Sequence, residues 1–254
     1  EGKIKIGGLV MELVKVDDPG AVVRALGEGW FYDVECDCWV YGNVRFKRLY
    51  SCILDVFNYG HYGFLSPAGL DVVDVGGFVG DSAIYFVSRG TRRVIALEPH
   101  PGAFSEMVEN IRLNNLQGRI IPVNAGLSSS RGYIRVIDSS ISETFGLHHG
   151  RVLECREDCV KALTLGDVIR DYNADPDNTI LKLDCEGCEY YVILNDYDHV
   201  RLFREVVVEY HRGYGGILEV MSRNFTCRHE ARHLFGDLAR QGLLYCMKRD
   251  LQDQ

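Results

Sequence analysis

No apolar run in this chain of 254 residues approaches the roughly 20 needed to span a bilayer. Its opening, EGKIKIGGLVMELVKV, alternates polar and apolar residues where a signal peptide carries an unbroken apolar stretch. The expectation is a cytoplasmic protein with no membrane span. Basic charge is in short supply too: 28 Lys and Arg face 36 Asp and Glu, a net charge of −8. A duplex-binding surface needs clustered basic residues, and the densest segments here, 223–232 and Arg92–Arg93, are short and interspersed with other types. Nucleic acid is therefore disfavoured as a substrate. What the chain does have is 46% hydrophobic and 25% charged residues, a globular composition.

Nine cysteines make an odd count, without the density of a secreted disulfide scaffold. Cys185 and Cys188 form a CxxC and Cys36 and Cys38 a CxC, while Cys155 and Cys159 are spaced one residue wider than a zinc pair. With no second pair at ligand spacing, the reading is small apolar residues in a core. His229, Glu230 and His233 spell a literal HExxH, but the metzincin position for a third ligand falls on Ala239 and no Glu follows Glu230. A solvated helix face is the better reading. No metal site is assigned from spacing.

Residues 1–65 read as a β-rich extension, with alternation at 3–16 and 30–41, a turn at Gly42–Asn43, a strand at 44–48 and a short helix at 49–57. From Leu70 to the end, in a main domain spanning 66–254, strands alternate with helices of 10–15 residues, which argues for a parallel α/β sheet. SSISETFGLHHG, residues 139–150, has no periodicity and suits a lid or substrate loop. A helix at 228–241 and one last strand, LLYCMKR, close the reading.

The first strand ends in DVGGFVGDS. Glycine lets a backbone approach a ligand closely, and open α/β sheets bind at their strand C-termini. The dinucleotide fingerprint fails, because glycine would be needed at Phe78 and Asp81, and no Walker A sequence occurs. Asp74, Gly76 and Gly80 instead make D-x-G-x-x-x-G, a pattern that resembles adenosylmethionine-dependent methyltransferases, where an acidic residue suits the cofactor's ammonium and sulfonium charges; with Gly77 inside it and Asp81 and Ser82 opening the next helix, these are candidate cofactor-binding residues. Glu98 ends the second strand, where a carboxylate can accept both ribose hydroxyls. Asn124 and the backbone of Ala125, at the end of the third, suit an adenine edge. Further on, Asp184, Glu186 and Glu189 follow one buried strand and Glu209 and His211 close another. Such groups can orient an acceptor hydroxyl, take its proton, or hold a divalent cation. Asp184, His211 and Glu186 are the candidate catalytic residues.

In order along the chain, DVVDVGGFVGDSAIYF, VIALEPHPGAFSEMVENIRLNNL, IIPVNAGLSS, LTLGDVI, ILKLDCEGCEYYVI and VVVEYH resemble the FkbM family of methyltransferases, over about residues 65–215. The resemblance implies a class I methyltransferase fold, a Rossmann-like, doubly wound, mostly parallel sheet. It implies S-adenosyl-L-methionine as cofactor and O-methylation of a hydroxyl on a sugar or natural product, a small-molecule acceptor. Carried over by position, Asp74, Gly76, Gly80, Glu98 and Asn124 would bind cofactor and Asp184 would face the transfer. Where the family turn reads GANxG, Gly77 and Phe78 stand here. The family has apolar residues at Cys185 and Cys188, and the usual terminal antiparallel hairpin is expected to be curtailed. The EPHP segment also resembles methyltransferases of RNA bases, but no Asn-Pro dipeptide of the amine-modifying kind occurs. A ribose or carbon methyltransferase acting on RNA, and a binding module without catalysis, are the alternatives.

Overall fold

The computed structural model describes residues 3–6, 9–12, 19–136, 151–152, 159–230 and 240–249. A small antiparallel pair, β1 (Lys3–Ile6) with β2 (Leu9–Glu12), precedes helix α1 (Pro19–Gly27). An antiparallel meander follows, β3 (Phe31–Asp33), β4 (Cys38–Tyr41) and β5 (Val44–Phe46), then α2 (Ser51–Phe57). The extension is thus not purely β. α1 was missed because its buried face is only Ala21, Val22 and Ala25, too short a pattern to read as helical. Trp30, Trp39, Phe46 and Leu54 share one core with Val72, Val79, Phe86 and Met107, so the N-terminal segment covers a face of the main sheet.

That sheet is built from β6 (Asp71–Val75), β7 (Arg93–Leu97) and β8 (Ile120–Val123), joined by α3 (Asp81–Ser88) and α4 (Pro101–Leu113). β9 (Ala125–Leu127), β10 (Gly132–Arg135), β11 (Arg151–Val152) and β12 (Cys159–Leu163) make a separate small sheet beside it. After α5 (Leu165–Asp171), the chain returns through β13 (Thr179–Leu183), α6 (Cys188–Asn195), α7 (Tyr197–Val200), β14 (Glu205–Tyr210), α8 (Gly215–Met221), β15 (Phe225–Glu230) and β16 (Gly242–Lys248). The main sheet runs β15-β16-β14-β13-β6-β7-β8, and β16 alone runs antiparallel to the other six strands. This is the doubly wound Rossmann-like arrangement expected. Strand order reverses between β6 and β13, which opens the ligand crevice of such sheets at their C-terminal ends.

β6 is buried along its whole length and carries two aspartates, each neutralised. Asp71 takes Arg92 and Arg93, at 2.8 and 2.9 Å, and Asp74 takes Lys182 at 2.9 Å. Burial at this depth requires such pairing.

Two expectations are corrected at the C-terminal end. Residues 228–230 are strand, not helix, and pair antiparallel with β16, so both strands of the closing hairpin are present. His229 and Glu230 therefore fall on opposite faces of a strand, which removes the shared helical face the HExxH reading needed; His233 lies outside the described residues, as does the lid loop expected at 139–150. The cysteines are largely buried, as expected, and most are also paired. Cys36–Cys38, Cys185–Cys188 and Cys227–Cys246 are disulfides, and Cys159 is disulfide-bonded too. Cys227 and Cys246 are directly opposed in the β15–β16 ladder, 19 residues apart in sequence but with Cα atoms at 4.1 Å. Closing a loop of that length in the unfolded chain is worth at most about 3 kcal/mol. Replacing both by Ala is expected to lower the chemical-denaturation stability by about that amount. No helix among the described residues is long and apolar enough to cross a membrane.

Candidate active site

Three strand ends, those of β6, β7 and β8, are tied into one unit. The amides of Gly76 and Gly77 both donate to the Leu97 carbonyl, at 3.0 and 2.9 Å, clamping the glycine turn to β7. Gly76 has φ +79°, and a Cβ there would stand 1.7 Å from the Asp184 carbonyl oxygen, so only glycine fits. Gly80, at φ +89°, starts α3. Gly77 is not held to glycine by its conformation; a Cβ would make ordinary contact with Ala96 and Met107. Phe78 carries a left-handed φ of +44°, a conformation asparagine tolerates better. Its ring packs edge-on against Tyr50 of the N-terminal segment, with centroids 5.0 Å apart.

Glu98 is buried and fixed from two sides. Its Oε2 accepts from the Phe78 amide at 2.8 Å and Oε1 from the His100 amide at 2.7 Å. Burial nevertheless pushes its carboxyl up to about 7. His100 in turn accepts from the Ala103 amide and caps α4, with Pro101 in the first turn. Exposed Asn124 spends its Nδ2 on the carbonyls of Glu98 and Pro99, at 2.9 and 3.3 Å. The structure thus joins it to Glu98, and it braces that strand end in addition to whatever its oxygen can do. Ala125 begins β9 and is buried.

Asp74 is engaged by Ser82 and Lys182. Ser82 Oγ donates to Asp74 Oδ2 at 2.6 Å, and the Lys182 ammonium stands 2.9 Å from Oδ1. The negative charge expected for a cofactor ammonium is already answered. Lys182, absent from the sequence-derived site, also donates to the Gly76 carbonyl at 2.8 Å and lies 3.6 Å from Asp184 Oδ2. Burial alone would lower its pKa; the carboxylates of Asp74 and Asp184 outweigh that and hold it well above the ordinary lysine value. The available signal was a lone Lys inside the apolar strand TILKL. Asp81 is buried in the first turn of α3.

Across the crevice, Asp184 follows β13 and leads into a loop closed by the Cys185–Cys188 disulfide, in which Glu186 has φ +55°. His211, just after β14, reaches all of it. Its Nδ1 stands 3.3 Å from Oε1 of fully buried Glu189, and its Nε2 faces Glu186, Asp184 and Glu209 at 3.4, 3.8 and 3.9 Å. His61 from the N-terminal segment contacts Glu209 at 2.9 Å, a contribution no sequence signal announced. Burial and the Glu209 charge push Asp184 up to about 7. Burial opposes the charge on His211, but Glu189 and the Asp184 and Glu186 carboxylates carry it to about 9. At neutral pH the free imidazole is therefore a cation. All three candidate catalytic residues come together, and the disulfide shapes the loop that presents two of them.

Residues 74–231 match the methyltransferase FkbM domain. The chain is 27% identical to the methyltransferase sdnD of Sordaria araneosa over 176 residues, 56% of this chain and 67% of that protein. Among solved structures it is similar to a methyltransferase FkbM from Methylobacillus flagellatus, with 16% identity and a TM-score of 0.48, covering 74% of this chain. It spans only 46% of that protein. A putative rRNA methylase from Clostridium thermocellum aligns at 12% identity and a TM-score of 0.48, over 75% of this chain and 92% of that one.

Proposed function

Because this chain belongs to the FkbM family of methyltransferases, we propose that it transfers a methyl group from S-adenosylmethionine to a hydroxyl oxygen of a small acceptor, a sugar or natural product. The observation that carries the cofactor assignment is the Glu98 carboxylate, bonded to the amide of Phe78 in the glycine turn and so locked to the edge where the amino acid portion would lie. A buried carboxylate held, among the described residues, by two amides, and still reluctant to ionise, has room for the two hydroxyl donors that a ribose offers.

Adenosylmethionine, when bound, supplies an electrophilic methyl on a sulfonium with a thioether as leaving group. The chain's task is then alignment and exclusion of water. Gly76 and Gly77 give close backbone access, Glu98 grips the ribose, and Asn124 with Ala125 borders the base. Asp184, Glu186 and His211 bound the acceptor side. The acceptor oxygen held on this side would take the methyl of bound adenosylmethionine, with the hydroxyl proton passing to solvent. Four carboxylates on this side, those of Asp184, Glu186, Glu189 and Glu209, disfavour a polyphosphate acceptor such as RNA. The paired cysteines suit an oxidising compartment, so the cytoplasmic placement expected from the N-terminal pattern is not carried into this reading.

Calorimetry with adenosylmethionine, followed by adenosylhomocysteine release on a panel of hydroxylated acceptors, tests the assignment. Uptake without turnover on any acceptor would support a binding module; salt-dependent RNA retention would support the ribose alternative. Cofactor affinity should also depend on pH. Ribose hydroxyls bind the ionised form of Glu98, so affinity falls as pH drops below about 7 and levels off above it. Between pH 6 and 8 it should tighten about tenfold, with proton release on binding. Glu98→Gln should abolish that slope.

A further inference from the structure

The acceptor side, on the methyltransferase reading above, holds a donor set that alignment of a hydroxyl does not by itself require. Carboxylate oxygens of Asp184 and Glu209 and a ring nitrogen of His211 all lie within 4.8 Å of one another. From His211 Nε2 the oxygens stand at 3.8 Å for Asp184 Oδ1 and 3.9 Å for Glu209 Oε1. A formed N–H···O bond spans about 2.7–3.2 Å, so neither is one. Donors around one divalent ion, bound at about 2.1–2.4 Å, stand about 3.0–3.4 Å apart along an edge and about 4.2–4.8 Å apart across the ion. The separations of 3.8 and 3.9 Å lie between those two ranges, so the donors reach an octahedral arrangement once they shift by a few tenths of an ångström about the ion.

The outer contacts are a separate observation that points the same way. Nδ1 of His211 is met by Glu189, whose side chain is fully buried, which leaves Nε2 towards the other carboxylates. Imidazoles that ligate metals are commonly oriented by a carboxylate on the opposite nitrogen. The second oxygen of Glu209 is held by His61 at 2.9 Å. Asp184 divides its oxygens as well, Oδ2 lying towards Lys182 and Oδ1 towards His211. The Lys182 charge is committed to Asp74, which it approaches more closely. All three ligand side chains keep some solvent access, at 26%, 17% and 14% for Asp184, Glu209 and His211.

We propose that Asp184, Glu209 and His211 bind one divalent cation of the Mn²⁺ and Mg²⁺ class, the ion displacing the Nε2 proton of His211 to solvent and taking the acceptor hydroxyl oxygen at an open position. Two carboxylates with one imidazole suit Mn²⁺ well. Three protein ligands leave further positions on an octahedral ion. The cation acts as a Lewis acid: it stabilises the alkoxide as the hydroxyl proton passes to water, and the O–C bond then forms while the S–C bond breaks.

The test is a Mn²⁺ titration of the full chain after treatment with a chelator, reading free Mn²⁺ by electron paramagnetic resonance. One ion per chain is expected, and Glu209→Gln and His211→Ala should each weaken it at least tenfold. No stoichiometric uptake by the native protein, or undiminished uptake by both variants with native near-ultraviolet dichroism, overturns the site. Should the variants not fold, the native protein decides: substoichiometric Mn²⁺ should broaden the imidazole proton signals of His211 and His61 before those of the other histidines, and the reverse order overturns the assignment. Adenosylmethionine uptake by the same sample separates the two claims. Cofactor binding without Mn²⁺ binding removes the cation alone, whereas absent cofactor binding removes the function read from Glu98.

Discussion

Glu98→Ala should weaken adenosylmethionine uptake by a hundredfold or more. Two ribose hydroxyls donating to one buried carboxylate make two charge-assisted hydrogen bonds, each worth about 1.5–3 kcal/mol. Their loss together amounts to about 3 kcal/mol at the low end, and about 1.4 kcal/mol is a factor of ten in affinity. The substitution also leaves the Phe78 and His100 amides without the carboxylate that now satisfies them, loosening the turn against β7. Glu98→Gln keeps the shape and one acceptor oxygen, so it should fall between native and Ala. Calorimetry at pH 8, where the native carboxyl is ionised, checks both. Equal affinity in Glu98→Ala and the native protein would remove Glu98 from the cofactor site and with it the main physical support for the cofactor reading.

The largest effect on stability is expected at Lys182. Lys182→Met fills a similar volume but leaves the Asp74 carboxylate, which has no solvent exposure, without its counter-charge. Breaking one partner of a buried ion pair typically costs about 3–5 kcal/mol. In a chain of this size that corresponds to a fall in Tm of about 10 °C. The Gly76 carbonyl also loses its donor, so cofactor affinity should drop along with stability. Adding Asp74→Asn to Lys182→Met should recover part of the loss, because replacing both members of a buried pair is much cheaper than orphaning one. If the double variant melts no higher than Lys182→Met alone, the pair is not the source of the cost.

Much of the site was legible because it follows strand ends. Gly76, Gly80, Glu98 and Asn124 stand where apolar runs stop, and a parallel sheet brings such stops to one edge whatever the details of packing. The same logic brought Asp184 and His211 to neighbouring strand ends. Lys182 was passed over because a single charge inside TILKL reads as a flaw in a strand until its partner is known. That partner, Asp74, is over a hundred residues away and becomes adjacent only through the β6–β13 ladder. His61 was equally silent, since the aromatic, glycine-broken segment around it gives no sign of where it docks. The cysteine pairing was out of reach for the same reason, although several of these cysteines are buried as expected. Pairs such as Cys227 and Cys246 follow no ligand spacing; they are defined by strand register. And residues 228–230, the end of β15, were read as the start of a helix, because the alternation of this strand is short and polar-rich.

From residue order alone came the α/β rhythm, the glycine turn and the run of polar strand ends, since each is a local pattern of apolar period and conformational allowance. Tertiary structure decided where the charges go: which carboxylate Lys182 neutralises, which nitrogen of His211 Glu189 engages, and that an N-terminal histidine completes the far side of the crevice. Electrostatic roles depend on separations of a few ångströms between groups remote in the chain, and those separations exist only once the sheet has closed its register.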